Sequence, residues 1–403
     1  MMKEKRMSPL FILIMAGLSA FGPLSIDMYL PALPEVKSML NTTTAHVQLT
    51  LTFFMVGLAV GNVVLGTLSD STGRKKPLMV SLIIYILSSM AIALTPNITV
   101  LIIFRFIQGV SGGAGIVLAR AIATDLYKGK VLTQFLAMLM LVNGAAPVLA
   151  PMFGGAILSF GNFRTLFWIL ATLTLFMLIG AHFKIDETLP PELRRQGNFK
   201  SVITDFKILL TRRSFVVPML IQGFTFAMFF GYLAASPFIM QNIYHLTAQQ
   251  YSYIFALTGI GLIGTAQLTS RLVEHINQHT MFRIYSMIQL IGTGIAIVAL
   301  LNHLSLWILL PSFLLIVAPV AGIGTLGFAI AMEGQQKGIG SASSLVGLMQ
   351  YFIGAIATPL VGLQGEHSFI PYIIVITITM GLIVIFQLYQ FFIVERKYTT
   401  SQS

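Results

Sequence analysis

The 403-residue chain is 56% hydrophobic and only 9% charged, with 35 glycines and 30 phenylalanines, far from the roughly 25% charged content of soluble domains. That composition describes a polytopic membrane protein, and the absence of cysteine excludes disulfides, thiolate metal sites and cysteine nucleophiles. The net charge of +11 has to be located along the chain before it names a partner.

About 20 apolar residues cross the hydrocarbon core as a helix. On that scale the first half holds spans near residues 9–30, 46–69, 77–95, 98–122, 131–158 and 163–183. The second half holds spans near 215–240, 248–271, 280–301, 305–331, 341–362 and 369–393. The expected fold is therefore all-α and polytopic, with 12 transmembrane helices in two six-helix bundles, residues 1–183 and 215–403, joined by a cytoplasmic linker, 184–214. With the N-terminus inside, twenty Lys and Arg fall on that side, among them Lys3, Lys5, Arg6, Arg195, Lys337, Arg396 and Lys397, against Lys37 and Arg164 outside. The positive-inside rule then makes both termini cytoplasmic. The positive charge reports topology and contact with anionic membrane lipid, and no nucleic-acid partner is expected.

The first span contains Asp27, the one carboxylate set well inside an apolar run. A charged Asp at a helix centre costs roughly 2.5–3.5 kcal/mol, so such a residue faces a cavity or a partner. After the second span comes Gly66-Thr67-Leu68-Ser69-Asp70-Ser71-Thr72-Gly73-Arg74-Lys75-Lys76. Gly66 allows close helix approach, Gly73 turns the chain, and Asp70 and Arg74 are placed to form switchable polar contacts; the bland alternative is a basic turn.

In the fourth span Arg105 lies about seven residues, roughly 10 Å of helix rise, from the outer end, a depth comparable to that of Asp27. Mutual neutralisation of the two is one expectation, and a clamp of Arg105 on backbone carbonyls is the other. The fifth span runs Asn143-Gly144-Ala145-Ala146-Pro147-Val148-Leu149-Ala150-Pro151-Met152-Phe153-Gly154-Gly155, where Pro147 and Pro151 kink the helix and Gly154 and Gly155 permit tight packing. In the linker Phe199, Val202, Ile203, Phe206, Leu209 and Leu210 form an amphipathic helical stripe, read either as an interfacial helix or as one packed on the ends of the bundle.

A transported molecule would meet an aromatic cavity with a few polar groups. Candidates are Tyr29, Asn62, Gln108, Asn143, Gln222, Phe226, Phe230, Tyr232, Gln350 and Tyr351, each with plain helix packing as its alternative. Two Gly-x-Gly-x-x-Gly matches, at Gly259 and Gly322, lie inside spans and read as packing. His275 and His279 lack a metal-binding arrangement, and no phosphate-binding loop suggests direct drive by ATP. No metal or cofactor is expected.

The Gly66–Lys76 segment resembles the signature between helices two and three of the major facilitator superfamily, matched at every defining position, and Arg105-Phe106-Ile107-Gln108-Gly109 resembles its fourth-helix motif. The fifth-span motif resembles the antiporter motif in the form carried by the bicyclomycin and chloramphenicol resistance (Bcr/CflA) exporters; it departs from the commoner form at Ala150-Pro151. Asp27-Met28-Tyr29-Leu30-Pro31-Ala32-Leu33-Pro34 and Glu187-Thr188-Leu189-Pro190 resemble segments of the same exporters. The resemblance implies a monomer, not an enzyme, in the bacterial cytoplasmic membrane, exporting small hydrophobic or amphipathic antibiotics in exchange for protons. It implies proton coupling through Asp27 and Arg105, gating through Asp70 and Arg74, and leak control through the proline–glycine motif. Proton-coupled uptake of a metabolite on the same fold is the alternative.

Overall fold

The computed structural model describes residues 9–194, 199–333 and 339–395. Lys3, Lys5, Arg6, Arg195, Lys337, Arg396 and Lys397 lie outside them. All regular structure among the described residues is helical. Eleven helical segments there are long and apolar enough to cross a membrane, and Gly144–Leu158 supplies a shorter apolar stretch of a twelfth helix. The chain is an all-α polytopic membrane protein of twelve spans, and its internal contacts divide it into two units, Met1–Thr42 with Leu49–Gly197, and Thr43–Gln48 with Asn198–Ser403.

The first unit holds α1 (Pro9–Asp27), α2 (Leu33–Met39), most of α3 (Thr44–Thr72), α4 (Lys75–Leu94), α5 (Ile98–Leu126), α6 (Gly129–Leu158) and α7 (Phe163–Lys184). Helix α1 gives way after Asp27 to a tight turn over Leu30–Ala32; Pro31 and Pro34 stand at the opening positions of that turn and of α2, where their missing N–H groups are not needed. Asn97 caps α5, and Asn162 with Thr165 forms a capping box on α7. Helices α3 and α5 pack backbone to backbone. A β-carbon on Gly57 or Gly61 would collide with the carbonyls of Phe106 or Val110, and one on Gly109 with that of Phe54, the small-residue packing that brings membrane helices together. Beside it, Met15, Leu18, Leu82, Leu118, Ile122 and Phe135 fill a buried core.

The second unit holds α8 (Phe199–Leu210), α9 (Arg213–Phe238), α10 (Ala248–Leu272), α11 (Gln278–Leu301), α12 (Leu306–Val317), α13 (Pro319–Met332), α14 (Ile339–Leu360) and α15 (Ile370–Tyr389). Pro319 lacks the N–H that would join α12 to α13, so one span is built from two helices. The linker helix α8 packs on its own unit: Leu209 is buried with Phe215, Met219, Ala331, Leu345 and Val346, and Phe206 packs against the same cluster. The side chains of Phe199, Val202 and Ile203 lie outside the described set. Around both units large apolar side chains such as Leu87, Phe176 and Trp307 face outward, the reverse of a soluble surface.

Candidate functional site

Arg105 has no exposed surface at all. Its guanidinium carbon sits 4.1 Å from the ring centre of Phe54, 4.8 Å from that of Tyr29 and 5.6 Å from that of Phe167, so aromatic faces replace much of the water a cation would otherwise hold. Nη1 donates to Gln108 Oε1 at 2.7 Å and Nη2 to the Ser25 carbonyl at 3.2 Å, while Nε has no described partner. Gln108 passes the chain on, donating to Ser89 Oγ at 2.7 Å. Thr50 donates to the Tyr29 hydroxyl at 3.2 Å, and Ser25 bonds Tyr85. Arg105 thereby ties α1, α3, α4 and α7 to α5.

Asp27 is buried in the last turn of α1, and no hydrogen bond or ion pair reaches its carboxyl from any described residue. The expected neutralisation by Arg105 is not formed in this structure; the carbonyl clamp on Ser25 is formed instead. The guanidinium reaches the end of α1 through the backbone carbonyl of Ser25 and the ring of Tyr29, which lies in the turn beyond the helix.

Helix α6, which carries Pro147 and Pro151 within one continuous helix, packs on this end of α1. A β-carbon on Gly154 would strike the Met28 carbonyl, which places this glycine of the motif that also holds Pro147, Pro151 and Gly155 against the residue that follows Asp27. The side chain of Asn143 lies outside the described set.

The segment after α3 is a second polar cluster. Gly73 adopts φ +95°, open to glycine and strained for residues with a β-carbon. Arg74 then folds inward: Nη1 donates to Asp70 Oδ1 at 2.6 Å and to Ser69 Oγ at 2.7 Å, and Nε to Asp125 Oδ2 at 3.1 Å. Glu187 accepts from the backbone N–H groups of Arg74 at 2.8 Å and Lys75 at 3.2 Å, capping the start of α4 from a segment more than a hundred residues away. Thr188 donates to Asp125 at 2.9 Å. Burial disfavours the Glu187 carboxylate, but the N–H groups of Arg74, Leu189 and Lys75 and the nearby Arg194 outweigh it and hold its pKa below the usual glutamate range. Gly66 faces Val117 of α5.

The remaining candidates separate by environment. Tyr29 and Gln108 belong to the cage around Arg105, and Asn62 donates to the Leu58 carbonyl of its own helix at 3.0 Å. In the second unit Phe226, Phe229, Phe230 and Tyr351 form one aromatic cluster, with Phe226–Phe230 centroids 6.1 Å and Phe230–Tyr351 centroids 6.0 Å apart. Gln222 lies one turn from Phe226, buried, with Oε1 unpartnered among the described residues; Gln350, beside Tyr351, is half-buried. Tyr232 is apart from this group, packed between Phe255 and Phe313.

Sequence reasoning missed Asp125, Phe54, Phe167 and Ser25. For Asp125 the available signal was the unbroken helix-compatible stretch after residue 122, which the structure shows as the end of α5. The ring partners of Arg105 carry no sequence mark that separates them from other phenylalanines.

The chain is 35% identical over 389 residues to "Uncharacterized MFS-type transporter YdgK" of Bacillus subtilis (strain 168), with 96% of each chain covered. It is 28% identical to a bicyclomycin resistance protein homolog of Haemophilus influenzae, covering 98% of both. It is 25% identical to the multidrug resistance protein MdtL of Escherichia fergusonii, covering 93% of this chain and 95% of the other. A crystal structure of a D-xylose-proton symporter superposes with a TM-score of 0.74 at 15% identity, over 95% of this chain and 97% of that one, a likeness of fold. With residues 12–359 matching the family as a whole, this chain is a transporter of the Major Facilitator Superfamily.

Proposed function

We propose that this transporter is a drug:proton antiporter of the bacterial cytoplasmic membrane, a monomer with both termini cytoplasmic, exporting small hydrophobic or amphipathic antibiotics. The observation that carries the reading is Asp27: a carboxyl buried in a membrane helix, without a cation partner among the described residues, beside Gly154 of the α6 proline motif. A carboxyl so placed exchanges a proton as its surroundings open and close, which is the currency an antiporter needs. The names of the bicyclomycin resistance homolog and of MdtL support a drug as the exchanged molecule. The charge bias of the connections supports the orientation.

In the proposed cycle Asp27 takes a proton from outside and releases it inward after the rocking transition. Arg105 holds the end of α1 against α5 and α7, so that movement of α1 reaches the acid. The cluster of Asp70, Arg74, Asp125 and Glu187 latches the cytoplasmic ends of α3, α4 and α5. Substrate contacts fall to Phe226, Phe230, Tyr351, Gln222 and Gln350, which offer aromatic faces beside two amides, that of Gln222 with its oxygen unpartnered among the described residues.

The test is drug transport in proteoliposomes with and without an imposed pH gradient, comparing the native chain with Asp27→Asn. The variant is expected to lose gradient-driven export while retaining drug binding. Unchanged proton-coupled export by Asp27→Asn would overturn the role of the acid, and accumulation in the direction of the proton gradient would make the protein a symporter.

A further inference from the structure

On its outer surface the first unit carries a groove of about 390 Å³ between α3, α4 and α5, within the roughly 300–1,000 Å³ of small-molecule sites. Its walls are apolar: Leu68 on α3, Val80 and Ile84 on α4, Ile107 and Val110 on α5. Leu68, Val80 and Ile84 are among the outward-facing apolar side chains of the membrane spans, so the groove opens toward lipid. One end is charged. Lys76, the last residue of the motif and the second of α4, lines the groove, is exposed, and forms no hydrogen bond or ion pair with a described residue. Its neighbours are committed: Arg74 to Asp70 and Asp125, and Lys75 Nζ to the His182 carbonyl at 3.0 Å. The membrane span of α4 begins at Lys75, which sets the Lys76 ammonium at headgroup level with its stem along the apolar wall. From Lys76 to Ile84 the helix rises about 12 Å, the reach of the upper part of an acyl chain.

We propose that this groove is a binding site for an anionic phospholipid, its phosphate on Lys76 and one acyl chain seated between α3, α4 and α5. Charge complementarity selects the occupant: Lys76, the one cation among the described residues that line the groove, favours an anionic headgroup, and mainly apolar walls, where Thr72 and Ser111 turn their hydroxyls to carbonyls of their own helices, accept a hydrocarbon chain. Because Asp70 lies in the last turn of α3 and Arg74 caps the start of α4, lipid in the groove braces the two helices that the latch joins. The inference is independent of the transported substrate.

The test uses a single reporter tryptophan, Leu87→Trp, one turn beyond Ile84, in a background with Trp168→Phe and Trp307→Phe, reconstituted into nanodiscs. Brominated-chain phosphatidylglycerol, at low mole fraction in phosphatidylcholine, is compared with brominated phosphatidylcholine as quencher. Phosphatidylglycerol is expected to bind about fivefold more tightly at this position, the effect of one lysine near a membrane surface. Lys76→Gln should abolish the preference, Lys76→Arg should keep it, and Val80→Phe should weaken quenching by filling the groove. A reporter on α7, Leu175→Trp, should show no preference. Equal quenching by the two lipids at Leu87→Trp, or a preference that survives Lys76→Gln, would overturn the site.

Discussion

Two polar clusters in the same helical unit handle charge in opposite ways. At the loop between α3 and α4, Arg74 meets Asp70 and Asp125, and Glu187 collects backbone donors. Deep in the helices, Arg105 and Asp27 are both buried and do not pair: the cation is held by rings, an amide and a carbonyl, and the acid by nothing described. Ion pairs near water are inexpensive and reversible, suited to a latch. An intramembrane pair would lock an acid in its charged form; in the proposed cycle the separation of the two charges is what lets Asp27 exchange its proton. The contrast is therefore between charges that close a structure and a charge kept available.

The largest expected effect breaks the deep cluster. Arg105→Ala empties a site enclosed by Phe54, Tyr29 and Phe167 and strands Gln108, so it should destabilise the protein by about 3–5 kcal/mol, as truncation of a large buried side chain does. Thermal unfolding in detergent measures it. Arg105→Lys keeps the charge but loses the planar fork, and should fall between. If Arg105→Ala were harmless to folding yet abolished coupling, the guanidinium would act on Asp27 in another conformation rather than as the clamp seen here.

That clamp marks the limit of what the sequence discloses. The twelve spans were legible because about twenty apolar residues must cross a bilayer, and the Gly66–Lys76 motif because its spacing of glycine, acid and base is dense. The partner of Arg105 was not, since similar depth along two helices leaves rotation undetermined, and rotation decides between Asp27 and the carbonyl of Ser25. Glu187 and the loop it caps were each conspicuous, yet a contact across 113 positions has no local signature. Asp125 was overlooked because the fourth span was ended at residue 122, one turn short of the observed helix end.

A second prediction tests whether the unpaired acid depends on its backbone setting. Gly154→Val would drive a side chain into the Met28 carbonyl, and overpacking of this kind costs about 1–3 kcal/mol. The larger consequence should be functional: α6 would move away from the end of α1, and proton leak through reconstituted protein should rise without added drug. Leak equal to that of the native chain would separate the glycine face from the control of Asp27.

Within the latch, Glu187→Ala removes the cap on α4 and should destabilise by about 1 kcal/mol, the typical value of a helix cap. The pH dependence has a definite sign. Because the folded state holds the Glu187 pKa below its ordinary value, its contribution is fully present above the unfolded glutamate pKa of about 4.3 and is lost as pH falls through the folded value. Acid unfolding of the native chain should therefore show a loss of stability below about pH 4 that is diminished in Glu187→Ala.

The smallest effect should come from the residue most conspicuous in the motif. The Asp70 side chain is 51% exposed and pairs with Arg74 in an i, i+4 arrangement, whereas the Asp125 side chain is 17% exposed and also accepts from Thr188. Asp70→Asn should shift stability by only about 0.3–0.5 kcal/mol, the usual worth of an exposed helix pair, because Asp125 still holds the guanidinium. A transport defect out of proportion to that shift would place Asp70 in another conformation of the cycle, where its charge has a different partner. A defect matching the shift would leave Asp125 as the acid on which the latch depends.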